Sequence, residues 1–269
     1  MTRITAWRRH PLARYAVLIL ALALVGMVYA AFVQAGRPAD AALAAGKVDD
    51  VAEGKSLFVA HCSSCHGMNA QGTSTAPTLV GVGAAAVDFQ MSTGRMPAGN
   101  PGPQAPRKPL PHWVDEKAIS QVAAYVQSLG GGPQVPASEQ VDAKLGDAGK
   151  GGELFRANCI QCHNFVGAGG ALTQGKYAPN LNEATPTQIY EAMVTGPQAM
   201  PVFNDSTITP EEKRSMIAYI TEVRGQQDPG GFGLGRIGPV TEGLVAWIVG
   251  LGALALAAIW ITAKKRQKS

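Results

Sequence analysis

Apolar residues are distributed along this chain in three ways, and each predicts a different kind of element. Two stretches are apolar on every side: Tyr15 to Gly36 carries no charge for 22 residues, and Gly243 to Ala263 none for 21. Each is long enough to cross a hydrocarbon core as a helix. Between them, apolar positions recur three and four apart in Ile119-Ser-Gln-Val-Ala-Ala-Tyr125-Val and in Lys213-Arg-Ser-Met-Ile-Ala-Tyr219-Ile. That is the spacing of helices with one buried face. The third kind has no period and is rich in Gly and Pro: Gly130-Gly-Gly-Pro133 to Pro136, Pro97 to Pro111, and Gly225 to Gly238. These read as loops and connectors. The pattern predicts an all-α protein of small helical modules joined by linkers.

The segment between the apolar runs is written twice. Gly54 to Gly67, with Leu57-Phe58 ahead of Cys62-Ser-Ser-Cys65-His66, is answered by Gly152 to Asn164, with Leu154-Phe155 ahead of Cys159-Ile-Gln-Cys162-His163. Ala76-Pro77-Thr78-Leu79 matches Ala178-Pro179-Asn180-Leu181. Met91-Ser-Thr-Gly94-Arg-Met96-Pro97 matches Met193-Val-Thr-Gly196 followed by Met200-Pro201, and the two amphipathic helices close the series. Matching blocks in the same order imply duplication. They divide the chain into a basic tail (1–14), a first apolar anchor (15–36), a linker (37–48), a first domain (49–130), a linker (131–147), a second domain (148–226), a Gly-rich linker (227–242), a second apolar helix (243–263) and a basic tail (264–269).

The formal charge of +4 changes meaning once it is located. Arg3, Arg8, Arg9 and Arg14 precede the first apolar run, and Lys264, Lys265, Arg266 and Lys268 follow the last, leaving 15 basic against 19 acidic side chains between them. An acidic middle without a basic stripe argues against a nucleic-acid partner. Clustered positive charge stays in the cytoplasm, so both termini are expected inside and residues 37 to 241 on the outer, periplasmic side of the cell membrane. Trp247 and Trp260 near the ends of the second run fit interfacial anchors. For the first run the competing reading is a cleaved signal peptide, with Ala30, Ala31 and Ala35 as small residues near a processing site, though the run exceeds the usual ~7–15 apolar residues.

Cys-x-x-Cys-His is the attachment motif for c-type haem. Two thiols add to the porphyrin vinyls and the adjacent imidazole ligates the iron, which needs all three side chains on one side of a helical turn. A lone CxxC could belong to a zinc site or a redox dithiol. Here His follows at once in both repeats, and the two motifs consume all 4 cysteines. The reading is two covalently bound haem c groups, at Cys62, Cys65 and His66 and at Cys159, Cys162 and His163. A thioether opposite histidine completes an electron-transfer haem. Met96 and Met200 hold equivalent Met-Pro positions and are the expected axial ligands. Met91 and Met193 also align and are their competitors, read as core packing on the preceding helices. The carbonyls of Pro77 and Pro179 are expected to hold the second nitrogen of each imidazole. His61 is read as a solvated neighbour of the motif. The Pro-rich loop after Met96 has no counterpart in the second repeat and is read as a docking surface.

With tandem haem motifs between two apolar segments, and with Gly94-Arg95-Met96-Pro97 followed by Arg107-Lys108-Pro109 in a Pro-rich loop, the sequence resembles the cytochrome cc subunit of the actinobacterial quinol–cytochrome c reductase, the bcc complex. The resemblance covers nearly the whole chain. It implies two tandem class I cytochrome c-like domains between two transmembrane helices. It further implies a cytochrome b subunit and a Rieske iron–sulfur subunit as partners, and a supercomplex with an aa3-type cytochrome c oxidase. On that expectation the chain relays electrons from the Rieske subunit to the oxidase and is an enzyme only as part of the reductase, with no catalytic site of its own. A dihaem subunit of a cbb3-type oxidase and a dihaem peroxidase are the alternatives. The first would not be expected to end in a second spanning helix, and the second needs an iron without a Met-Pro ligand.

Overall fold

The computed structural model describes residues 13–35, 47–100, 102, 104–226 and 239–266. Most of the two basic tails and of the linkers at 37–48 and 227–242 lie outside the described residues. The chain divides into two units, 1–49 and 50–269. In the first, α1 (Ala13–Ala35) is a continuous helix of 23 residues whose stretch Tyr15–Val28 is apolar and exposed.

The second unit is mostly helical. α2 (Lys47–His61) enters it and is followed by the short α3 (Ser63–His66), α4 (Ala84–Ser92) and α5 (Glu116–Ser128). Asp115 caps α5 by accepting from Ala118 N, which satisfies one of the orphan donors of its first turn. Phe58 from α2, Met91 from α4, and Val122, Tyr125 and Val126 from α5 meet in one hydrophobic core.

A second core repeats this plan. α6 (Ser138–Val141) leads through a 3-10 turn to α7 (Ala148–Asn158) and α8 (Ile160–His163), and then to a two-stranded ribbon. In the ribbon β1 (Gly170–Ala171) pairs antiparallel with β2 (Tyr177–Ala178), Gly170 opposite Ala178 and Ala171 opposite Tyr177. α9 (Pro186–Thr195) and α10 (Pro210–Gly225) follow, each opened by a threonine capping box and Pro in the first turn, the expected chemistry of a helix start. Phe155, Ile189, Tyr190, Met193, Met216 and Ile217 build the core. Residues 138–147, expected as connector, pack here instead: Val141 and Ala143 lie against the core, and Gln140 Nε2 donates to Tyr190 Oη at 3.1 Å.

The duplication is legible in how the helices cross. A Cβ on Gly54 would lie 1.9 Å from Gln121 O, and one on Gly151 would lie 1.9 Å from Ser215 O, so in each lobe glycine lets the first helix touch the backbone of the last. The structural partner of Gly54 is therefore Gly151, one residue before the Gly152 that opens the sequence match. Beside each crossing sits an aromatic pair, Phe58 with Tyr125 at 5.3 Å and Phe155 with Tyr219 at 5.4 Å between ring centroids.

α11 (Pro239–Arg266) closes the described chain. Its segment Ala246–Ala263 has a mean hydropathy of 2.0 and no buried share, and among the described residues it is the one helix long and apolar enough to cross a membrane.

Candidate haem sites

Each Cys-x-x-Cys-His motif sits where a long helix runs into a short one. Cys62 N donates to Phe58 O at 2.8 Å and His66 N to Cys62 O at 3.0 Å; Cys159 N donates to Phe155 O at 2.8 Å and His163 N to Cys159 O at 2.9 Å. Residues three and four apart on such a turn share a side, so both cysteines and the histidine are presented together. The chain then leaves at positive φ, +81° at Gly67 and +63° at Asn164. With ψ at 160°, Asn164 holds a conformation that glycine ordinarily supplies, and nothing in the structure explains why the second repeat does without the glycine.

Both imidazoles are buried, each 8% exposed. His66 Nδ1 lies 2.8 Å from Pro77 O and His163 Nδ1 lies 3.1 Å from Pro179 O, the two carbonyls expected from the repeat. With Nδ1–H donating to a carbonyl, Nε2 carries the lone pair available to a metal. Burial holds the His163 pKa below the usual histidine range, against the opposing effect of the Pro179 carbonyl, so this ring stays neutral, the ligating form.

No two of the four cysteines are joined in a disulfide. Burial, helped by the neighbouring thiol, pushes Cys62 up to about 11 and Cys159 up to about 12. Among the described residues no three His, Cys, Asp or Glu side chains gather into a metal-ion cluster, whereas a structural zinc site would need four such ligands.

The second motif opens on a cavity of about 510 Å³, in the range of cofactor pockets. Cys159, Cys162 and His163 line it together with Met193, Met200 and Phe203. Two thiols on one turn, a neutral imidazole, thioethers and an apolar wall match the donors that c-type haem requires. Met193 is 3% exposed within α9, and Met200 lies on the loop after it, half-buried against the same core. In the first lobe Met91 is 4% exposed in the core, with Met96 half-buried against it. The structure thus brings both aligned pairs of methionines to the cores, with the Met-Pro pair on loops in each case.

Two features escaped the sequence reading. His61 is exposed, as expected of a neighbour of the motif, but its ring also stacks on Trp113 with centroids 3.9 Å apart and planes 8° from parallel. The Pro-rich loop, expected as a docking surface, docks within the chain. Gln104 Nε2 donates to Tyr177 O at 2.6 Å while Tyr177 N donates to Gln104 Oε1 at 3.0 Å, so the side-chain amide pairs with the ribbon as a neighbouring strand would. Arg107 Nη1 donates to Glu183 O at 3.0 Å and Gln198 Nε2 to Ala105 O at 3.1 Å. Through these contacts Arg95, Gln104 and Arg107 of the first lobe line the cavity of the second. The sequence signal was present: Arg95 and Arg107 have no counterparts in the second repeat, which reads Gly196-Pro-Gln-Ala-Met200.

Comparison with known proteins agrees with this geometry. A family model described as cytochrome c matches residues 51–130, and one described as cytochrome C oxidase, cbb3-type, subunit III matches residues 146–220. Proteins named cytochrome bc1 complex cytochrome c subunit are similar over most of the chain. The one from Mycobacterium tuberculosis is 49% identical over 218 residues, 78% of this chain and 77% of its own length. The one from Corynebacterium efficiens is 44% identical over 242 residues, covering 82% and 80%. The one from Corynebacterium diphtheriae is 40% identical over 271 residues, covering 94% and 95%. The chain belongs to the family of cytochrome bc1 complex cytochrome c subunits. It carries cytochrome c domains, which imply covalently bound haem c, and the family's role is respiratory electron transfer in a membrane-associated oxidoreductase.

Proposed function

We propose that this chain is the dihaem electron relay of a quinol–cytochrome c reductase, with two tandem cytochrome c domains, 49–130 and 148–226, held between membrane helices at 15–36 and 243–263. Cys62 and Cys65 attach one haem and Cys159 and Cys162 the other, with His66 and Met96, and His163 and Met200, as axial ligands. Haem supplies the one-electron chemistry, and histidine opposite methionine favours a high reduction potential. The protein's part is to fix each imidazole through Pro77 or Pro179, exclude water with the Phe58 and Phe155 cores, and keep the two sites in one polypeptide. The observation that carries this reading is the apolar cavity on which Cys159, Cys162, a carbonyl-held His163 and Met200 converge. The matching glycine crossings and aromatic pairs extend it to the first lobe.

In the complex, electrons arrive from a Rieske iron–sulfur subunit beside a cytochrome b subunit and leave toward an aa3-type oxidase. Both termini are cytoplasmic and the haem domains are on the outer side. Gly250, Gly252, Ala253 and Ala257 in the last helix permit close packing against partner helices. The cbb3-type model matches residues 146–220, whereas relatives similar over most of the chain are named as bc1 subunits, which favours the reductase. Alkaline pyridine treatment of the denatured protein is expected to report two haems per chain that resist acid–acetone extraction. One haem per chain, or extractable haem, overturns the proposal.

A further inference from the structure

We propose that Arg95 and Arg107 of the first lobe form a carboxylate-binding site for the propionates of the haem held by the second lobe. The inference rests on the reading that Cys159, Cys162 and His163 hold a haem.

Arg95 is 9% exposed and its guanidinium lies over the Phe89 ring, 5.0 Å from the centroid. Arg95 and Arg107 both line the 510 Å³ cavity that contains the second motif. Among the described residues the ion pairs are Lys150 with Glu212 and Lys213 with Asp205, so neither arginine is paired with a carboxylate there. A buried cation beside a second one is strongly unfavourable unless an anion joins them. A c-type haem is an apolar ring with two carboxylates on one edge, and guanidinium binds carboxylate through paired N–H donors.

The surrounding contacts leave those donors available. Among the described residues Arg107 has one hydrogen bond, to Glu183 O, out of the five that a guanidinium can donate. Gln104 has its amide oxygen and nitrogen engaged by Tyr177 N and O, so its role is to hold the loop that carries Arg107 in place. Arg95 is bonded through its carbonyl to Met96, so consecutive residues serve two haems: the thioether of one ligates the first iron and the guanidinium of the other binds the edge of the second haem. The potential of the second haem is then set partly by the first lobe. A cation beside a haem opposes the extra positive charge of ferric iron, so its removal lowers the potential.

The test is redox titration of the membrane-purified complex carrying Arg95→Gln, Arg107→Gln, both together, or Arg95→Lys. The second haem is identified as the one whose potential falls in Met200→Ala. A unit charge roughly 10 Å away at an effective dielectric constant of about 20 changes an equilibrium about tenfold, or about 59 mV for one electron. Arg95→Gln is expected to lower the second haem's potential by that order, and Arg107→Gln by less because its side chain is exposed. Arg95→Lys should restore most of the loss, which a purely structural role would not allow. The first haem should not move. A double variant with both haems attached and an unchanged second potential overturns the inference, as does a shift confined to the first haem. Should Arg95→Gln fail to assemble, an unmoved potential in Arg107→Gln overturns it alone. Haem counts on the same samples separate the outcomes, because wild-type protein with one haem per chain refutes the dihaem reading instead.

Discussion

Replacing Gly151 with alanine puts the helix crossing of the second lobe to a direct test. A Cβ there would lie 1.9 Å from Ser215 O, 2.4 Å from its carbonyl carbon and 2.8 Å from Met216 N. All three are backbone atoms in the middle of α10, so no change of rotamer relieves the contact. Ordinary van der Waals contact begins at 3.4 Å, so α7 must withdraw by roughly 1.5 Å at that point. Overpacking of this kind costs about 1–3 kcal/mol, and loosening the Phe155–Tyr219 pair removes part of a further ~0.5–1.5 kcal/mol. Alanine returns about 1 kcal/mol through helix propensity. The net expectation is a loss of about 2 kcal/mol, or a fall in melting temperature on the order of 10 °C for a domain of this size. Because α7 runs directly into Cys159, the variant should also load less haem at the second motif. Gly54→Ala should do the same to the first lobe, and Gly225→Ala, with nothing within 4 Å, should stay within about 0.5 kcal/mol of wild type. Thermal unfolding followed by circular dichroism in the haem band reads all three. A Gly151→Ala protein that melts with wild type refutes the close crossing.

Glu191 is fully buried, has no hydrogen-bond partner on either carboxylate oxygen, and is raised from 4.5 to about 9 by burial and then by Asp88. The folded chain therefore holds a proton that the unfolded chain releases, so this group's contribution is whole below about pH 4.5 and declines as the pH rises toward 9. Glu191→Gln should flatten that decline and stabilise the protein by on the order of 1–3 kcal/mol at neutral pH, read from denaturant midpoints at pH 5, 7 and 9; a wild-type stability that climbs over that range contradicts it. Met96→Ala and Met200→Ala should each leave haem attached, abolish one haem's weak methionine-to-iron absorption and lower its potential; if Met91→Ala or Met193→Ala does so instead, the ligand assignment moves to the helices.

The features legible in the sequence are those that the chain repeats or spaces periodically. The two haem turns, the carbonyls of Pro77 and Pro179, and the amphipathic helices ending in Tyr125-Val and Tyr219-Ile are local or duplicated features, and helical spacing is visible in sequence. The match opens at Gly152, seven residues before Cys159, whereas Gly54 stands eight before Cys62, as Gly151 does before Cys159; the approach to Ser215 O confirms Gly151 as the counterpart. Residues 138–147 follow the turn-rich stretch from Gly130 to Pro136 and precede the second repeat, so sequence alone groups them with the linker. Their place on the second core depends on single contacts such as Gln140 to Tyr190 Oη, which no period announces.

The Pro-rich loop shows the same limit and a way past it. Composition marked residues 97–111 as surface, and surface loops that one repeat has and its twin lacks invite a binding role. That reasoning identifies a partner-seeking segment but not the partner, because the pairing of Gln104 with Tyr177 spans 73 residues and uses a side-chain amide in place of a strand. The asymmetry between the repeats was nevertheless the informative signal. Both repeats keep a Cys-x-x-Cys-His turn, and only the first adds Arg95, Gln104 and Arg107. The second cavity has the thiols, imidazole and thioethers among its own residues, and its arginines come from the first lobe. Separating the lobes would thus leave the second with its attachment chemistry but without the cations at its edge, which gives the tethered arrangement a chemical reason beyond proximity.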